Sequence, residues 1–174
     1  MGGQSTRMGS DKAFIKWQGE TLLERAIAHM ESVTSDLYLS VNEAQYGQLK
    51  THYNCLKDTY PDKGPMGGIL NALETLESNL LVMAVDMPLI DKKALEALVT
   101  CGLSSGKTCT YVDLNDFWQT LPSFWQLTDT AKLKSYFDKD QLALTHFLKI
   151  HGHGVRSNGT STNFLNINNP SHLN

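Results

Sequence analysis

Apolar positions along the chain follow two different spacings. Leu22, Leu23, Ala26, Ile27 and Met30 recur at three- and four-residue intervals, which predicts an amphipathic helix over 20–32. The stretch 36–41 (DLYLSV) predicts a strand, 43–51 a short helix and 55–57 a short strand ending at Asp58. After the polar stretch 59–64, Pro65 stands where a helix can begin, because its missing N–H costs little in a first turn. Ile69, Leu70, Leu73 and Leu76 give that helix its apolar face. Leu80 to Val85 is a continuous apolar run of strand length, the pattern of a strand buried on both faces, and Asp86-Met87-Pro88 closes it. Asp91 is placed to cap a helix carrying Leu95, Leu98 and Val99. Beyond it, 108–112 predicts a strand, and the aromatic stretch 117–127, interrupted by Pro122, predicts edge strands or a hairpin. Helices are expected near 129–137 and 140–149, and late strands at Val155 and at 164–167. Strands and helices in alternation predict a parallel sheet with right-handed crossovers. With no repeat, low-complexity tract or long linker, residues 1–174 read as a single domain.

Composition narrows the function. Hydrophobic residues at 41% against 19% charged supply a core and argue against wholesale disorder. A net charge of −3 argues against a dedicated nucleic-acid binder, but leaves room for a small anionic ligand held by a local positive site. The longest apolar run falls far short of the ~20 residues that cross a bilayer, and the first residues have no secretory apolar core, so no membrane is expected as a partner. Three cysteines (Cys55, Cys101 and Cys109) without a C-x-x-C pair suit a reducing compartment, and a cytoplasmic location is expected.

Four segments carry candidate chemistry. Gly2 to Lys12 (GGQSTRMGSDK) combines glycines, whose backbone N–H groups can approach phosphate oxygens, with Ser5, Thr6, Arg7 and Lys12 as donors. It is neither a Walker P-loop nor a G-x-G-x-x-G fingerprint, and an ordinary glycine- and serine-containing terminus is an equal reading. Asp86 follows the most apolar strand, at the sheet end where α/β proteins gather ligands; it reads as a Mg²⁺ ligand or as a turn-capping aspartate, and Asp58 invites the same pair of readings. The 63–68 stretch (KGPMGG), with Gly67, either presents free N–H groups at a helix start or allows close helix–sheet packing. Asn166 and Asn168, in NINNP, offer amides to a polar ligand or form a turn. The six histidines show no metal-ligating helical spacing, and no G-x-S-x-G elbow is present.

The order GGQSTRMGSDK, LKD, GPMGGILNAL, VMAVDMP, FLNINNP resembles the molybdenum cofactor guanylyltransferase (MobA-like) family of nucleotidyltransferases. The resemblance implies a Rossmann-like three-layer nucleotidyltransferase fold, an α/β architecture with a mostly parallel sheet and helices on both faces. It also implies transfer of GMP from GTP, with Mg²⁺, to the terminal phosphate of molybdenum-bound molybdopterin, releasing pyrophosphate. By position, Gly2 and Gly3 match the backbone that meets guanine and ribose. Ser5, Arg7 and Lys12 match phosphate-handling residues, and Asn42, or alternatively Ser40, a nucleotide contact. Asp58 matches a nucleotide-side aspartate, Asp86 the magnesium ligand, and Asn166 and Asn168 the pterin side. Arg7, Lys12 and Asp86 are the expected catalytic set. The family's first strand, ending in leucine-alanine, precedes the glycine pair; Met1 stands at the alanine position, so a central strand is expected to be missing from this chain and its neighbours to lose a partner. Asn169 stands where threonine is usual.

Two other readings remain. One is a transferase using CTP on molybdopterin, or acting on a sugar phosphate; Gly2-Gly3 favours GTP, since CTP-using relatives tend to carry alanine first. The other is a non-catalytic paralogue that binds nucleotide or the partner proteins of cofactor assembly. A monomer or weak homo-oligomer is expected.

Overall fold

The computed structural model describes residues 12–156. A 3-10 turn at Lys12–Phe14 leads into a small antiparallel pair, β1 (Lys16–Trp17) and β2 (Glu20–Thr21). Helix α1 (Leu22–Glu31) starts at Thr21, whose hydroxyl accepts from Glu24 N (3.1 Å) while Glu24 Oε2 accepts from Thr21 N (2.8 Å). Then come β3 (Leu39–Val41), α2 (Glu43–Leu49) and β4 (Cys55–Lys57), a βαβ unit with β3 and β4 parallel, Leu39 opposite Cys55. Helix α3 (Gly64–Leu76) carries Pro65 in its first turn, and β5 (Leu80–Val82) follows. Asp91 caps α4 (Lys92–Ser105) by accepting from Ala94 N at 2.8 Å. The chain continues through β6 (Cys109–Val112), β7 (Trp118–Trp125), α5 (Thr130–Asp138), α6 (Leu144–His151) and β8 (His153–Arg156).

The four-stranded sheet runs β5-β7-β6-β8. Strand β6 is parallel to β8, whereas β7 is antiparallel to both β5 and β6, so β5, β6 and β8 run one way and β7 is the one reversed strand of this otherwise parallel sheet. The cause is local: only residues 113–117 join β6 to β7, and parallel neighbours need a crossover of a dozen residues or more. The aromatic stretch thus forms an inner strand instead of an edge. Pro122 is tolerated because the β6–β7 register shifts there, from Thr110 opposite Ser123 to Val112 opposite Trp118. Thr110 Oγ1 donates to the carbonyls of Gln119 (2.5 Å) and Pro122 (3.2 Å) across this irregularity.

Alternation along β7 serves both faces of the sheet. Trp125 packs with Leu70 and Leu73 of α3, Leu133 of α5 and Phe147 of α6. Phe124 points the other way, to Leu98 of α4 with Cys109 and Tyr111 of β6. A separate cluster joins Ala13, Leu23, Leu39, Val41 and Leu49 around β3.

Of the apolar run 80–85, only 80–82 enters a ladder, and all six residues are half-buried instead of fully buried. Among the described residues, β3 pairs only with β4 and β5 only with β7, and a cleft of about 870 Å³ lies between these two strands. The late strand expected at 164–167 lies outside the described residues. No described helix is long and apolar enough to cross a membrane.

Candidate active site

The cleft between β3 and β5 has apolar walls from α1 (Leu23, Ala26, Ile27) and α3 (Ile69, Ala72, Leu76). Its polar lining includes Lys12, Ser40, Asp58 and Asp86. Lys12 and Asp86 are 74 positions apart in sequence, and Lys12 Nζ donates to Asp86 Oδ2 at 2.6 Å. Both side chains are largely withdrawn from water, 16% and 17% exposed, so this pair is screened less than a surface one.

Each partner stands on an anchored segment. Ala13, beside Lys12, is buried in the β3 cluster. Asp86 occupies a turn after β5, and the residues behind it are fixed: Met87 and Ile90 are buried, and His29 Nε2 of α1 donates to Pro88 O at 3.2 Å. While Oδ2 of Asp86 takes the lysine, its Oδ1 is buried and has no hydrogen-bond partner among the described residues. A carboxylate oxygen withdrawn from water and left unpaired is costly, and such an atom is an available ligand for a cation or a donor.

Asp58 follows β4 and lines the same cleft. Its Oδ1 accepts from Tyr60 N at 2.9 Å, a local turn, and its own N–H donates to Val41 O at 2.8 Å. Asn71, buried on α3, holds this loop from beneath: its Nδ2 donates to Lys57 O (3.0 Å), and Thr59 Oγ1 donates to its Oδ1 (2.8 Å). The sequence reading missed Asn71. Its one signal was an amide on the apolar face that Leu70 and Leu73 define.

Two positions fall differently from the expectation. Asn42 caps α2, accepting from Gln45 N at 2.9 Å, and does not line the cleft; Ser40, the alternative at that strand end, does. Gly67 also lies off the cleft, and a Cβ there would stand 3.0 Å from Lys63 Cβ and 3.1 Å from Tyr60 O. Gly64 and Gly68 line the cleft instead, and a Cβ at Gly68 would meet Ser40 Oγ at 3.2 Å, so close packing of α3 on β3 uses that glycine. Gly2, Gly3, Ser5, Arg7, Asn166 and Asn168 lie outside the described residues.

The arrangement is suited to anion chemistry. The ammonium of Lys12, the carboxylates of Asp36, Asp58 and Asp86 and several hydroxyls, Ser40 among them, share one cleft, and among the described residues no group of three histidine, cysteine or acidic side chains could hold a metal by itself. One or two carboxylates, with the remaining ligands from phosphate and water, is the usual protein share of a Mg²⁺ site.

Residues 1–153 match the family model described as "MobA-like NTP transferase domain". A probable molybdenum cofactor guanylyltransferase of Flavobacterium johnsoniae is 27% identical, over 99% of this chain and 91% of that protein. A probable molybdenum cofactor guanylyltransferase of Clostridium perfringens is 35% identical over 56% of this chain and 49% of its own length. Among solved structures, molybdopterin-guanine dinucleotide biosynthesis protein A from Archaeoglobus fulgidus superposes with a TM-score of 0.79 at 22% identity, covering 99% of this chain and 91% of that one. That likeness shows the fold, and the family match extends through nearly every described element, so the chain belongs to the MobA-like NTP transferase family of nucleotidyltransferase enzymes.

Proposed function

We propose that this chain transfers GMP from GTP to the terminal phosphate of molybdenum-bound molybdopterin, forming the guanine dinucleotide and releasing pyrophosphate. The observation that carries the reading is the Lys12–Asp86 pair on the cleft, with Asp86 Oδ1 buried and without a partner among the described residues, in a chain of this family. The names of its relatives supply the substrates.

In the reaction an oxygen of the pterin's terminal phosphate attacks the α-phosphorus of GTP. A new P–O bond forms, the bond from the α-phosphorus to the bridging oxygen breaks, and pyrophosphate leaves with the electron pair. The nucleophile is already an anion, so no strong general base is needed; position and charge neutralisation dominate. Lys12 places fixed positive charge on the cleft, where it can meet the negative charge that grows on the departing pyrophosphate. Asp86 is the residue that would hold Mg²⁺, through Oδ1, with Asp58 on the same cleft as a second carboxylate. Bound there, the cation would neutralise phosphate oxygens during the displacement. Gly2, Gly3, Ser5 and Arg7 enter as phosphate and base contacts, and Asn166 and Asn168 as pterin contacts, on their sequence alone.

The direct test incubates the full chain with molybdenum-bound molybdopterin, Mg²⁺ and either GTP or CTP, and identifies the product by mass spectrometry. Guanine dinucleotide from GTP, lost on chelation and restored by Mg²⁺, is the expected result. A cytosine dinucleotide with no guanine product would transfer the assignment to CTP. Tight GTP binding without any dinucleotide would mark a non-catalytic binder.

A further inference from the structure

Outside the cleft, two of the three cysteines face each other. Cys101 lies in the last turns of α4 and Cys109 opens β6, with Gly106 at φ +64° turning the chain back between them. Their sulfurs are 3.0 Å apart. Cys101 is half-buried and Cys109 fully buried, and both are free thiols. A disulfide bond is about 2.05 Å long, so bonding requires a shift of roughly one ångström. Side-chain hydrogen bonds already tie α4 to β6 and to the residue that follows β7. Tyr111 of β6 donates its hydroxyl to Ala94 O of α4 at 2.9 Å, and Gln126 Nε2 donates to Gly102 O at 2.7 Å.

We propose that Cys101 and Cys109 are a modification site, a dithiol that a peroxide converts to an intramolecular disulfide stapling α4 to β6. The roles follow from exposure. Half-exposed Cys101 meets the oxidant: its sulfur attacks one peroxide oxygen, the O–O bond breaks, and water leaves with formation of a sulfenic acid. Cys109 then resolves it, its sulfur attacking Cys101 Sγ as the S–O bond breaks. Two thiols and one hydrogen peroxide give one disulfide and two waters, with both thiol protons ending in water and the two electrons on peroxide oxygen. The Cys109 thiol is held by Lys107 O, which accepts from its sulfur at 3.4 Å, with Ser105 Oγ at 3.6 Å. Its burial keeps it from reacting with the oxidant first. Cys55 stands apart on β4 and takes no part.

Lys107 separates the two cysteines, so trypsin places them in different peptides and only a disulfide holds these together. The full chain, freed of reductant, is treated with hydrogen peroxide, blocked with an alkylating agent and digested. The expected product is the 94–107 peptide joined to the 108–132 peptide, lighter by two hydrogens than the sum of the two and separated by dithiothreitol. The link persists in Cys55→Ser and disappears in Cys101→Ser. The oxidised protein is expected to melt several degrees higher than the reduced one, the difference vanishing in dithiothreitol and absent from Cys101→Ser. Recovery of both cysteines alkylated, links that run through Cys55, or covalent dimers as the main product would overturn the site. An internal link without a rise in melting temperature would overturn the staple.

Discussion

Asp86 has two oxygens in two different situations. One is neutralised by Lys12 at 2.6 Å, and the other is buried with no hydrogen-bond partner among the described residues. Asp86→Asn keeps the shape but removes the charge that would hold a cation, and transfer is expected to fall by at least about 100-fold, the scale of losing one preorganised electrostatic group. Lys12→Ala should cost a similar factor. It also strands a largely buried carboxylate, so a further loss of roughly 1–3 kcal/mol in unfolding free energy is expected. Denaturant titration beside the dinucleotide assay separates the two effects. Near-wild-type turnover in both variants would remove this pair from the mechanism. Both residues were nominated from sequence, one in a glycine-rich segment and one at a strand end. Nothing in their spacing said that they touch, because contact across 74 positions depends on where the sheet places each loop. Asn42 shows the converse. The family resemblance matches it to a nucleotide contact, while asparagine is also a strong helix N-cap; in the fold its side chain caps α2.

Helix α4 illustrates how a single glycine sets the approach of an element. A Cβ at Gly102 would fall 2.0 Å from Phe124 Cδ1 and 2.4 Å from Cε1, ring atoms of a residue buried on β7. Gly102→Ala should therefore destabilise the protein, although alanine is the better helix former by about 1 kcal/mol. Overpacking of a close-packed core costs roughly 1–3 kcal/mol, and the ring must leave its position before the methyl fits. A fall of several degrees in melting temperature is expected in a thermal scan, and an unchanged or raised value would show that α4 can move away cheaply. Helix boundaries were otherwise legible. Asp91 marked the start of α4, and Pro65 the first turn of α3, since caps and prolines act within one turn. Strand β7 was not legible as an inner strand. Pro122 argued against it, and the register shift that makes room for it belongs to the pairing with β6, which a single strand does not encode.

Across the whole molecule, burial of β6 links stability to alkaline pH. Burial pushes the Cys109 thiol from 9.0 up to about 12, with the Cys101 contact adding to the rise. Burial likewise pushes the Tyr111 phenol from 10.0 to about 12. Both groups are held neutral in the fold, so their contribution is complete below the unfolded values. The unfolded chain ionises first, and the contribution drains away as pH rises from about 9 toward 12. Urea midpoints measured across that range should fall progressively in reduced protein. Tyr111→Phe should start from a lower midpoint, having lost the bond to Ala94 O, and show a smaller decline above pH 10. A flat profile in the parent protein would contradict the burial of these two groups.

The order of residues was enough to place most helices and strands, the alternation of β and α, and the short list of charged residues near phosphate-binding patterns, because periodicity, caps and turn residues act over a few positions. The mixed pairing around β7, the opening between β3 and β5, the meeting of Lys12 with Asp86 and of Cys101 with Cys109, and the support of the Asp58 loop by Asn71 came from the folded chain. Each of these joins separate elements, and the free energy that selects them is packing and hydrogen bonding between surfaces that come together only after those elements have docked.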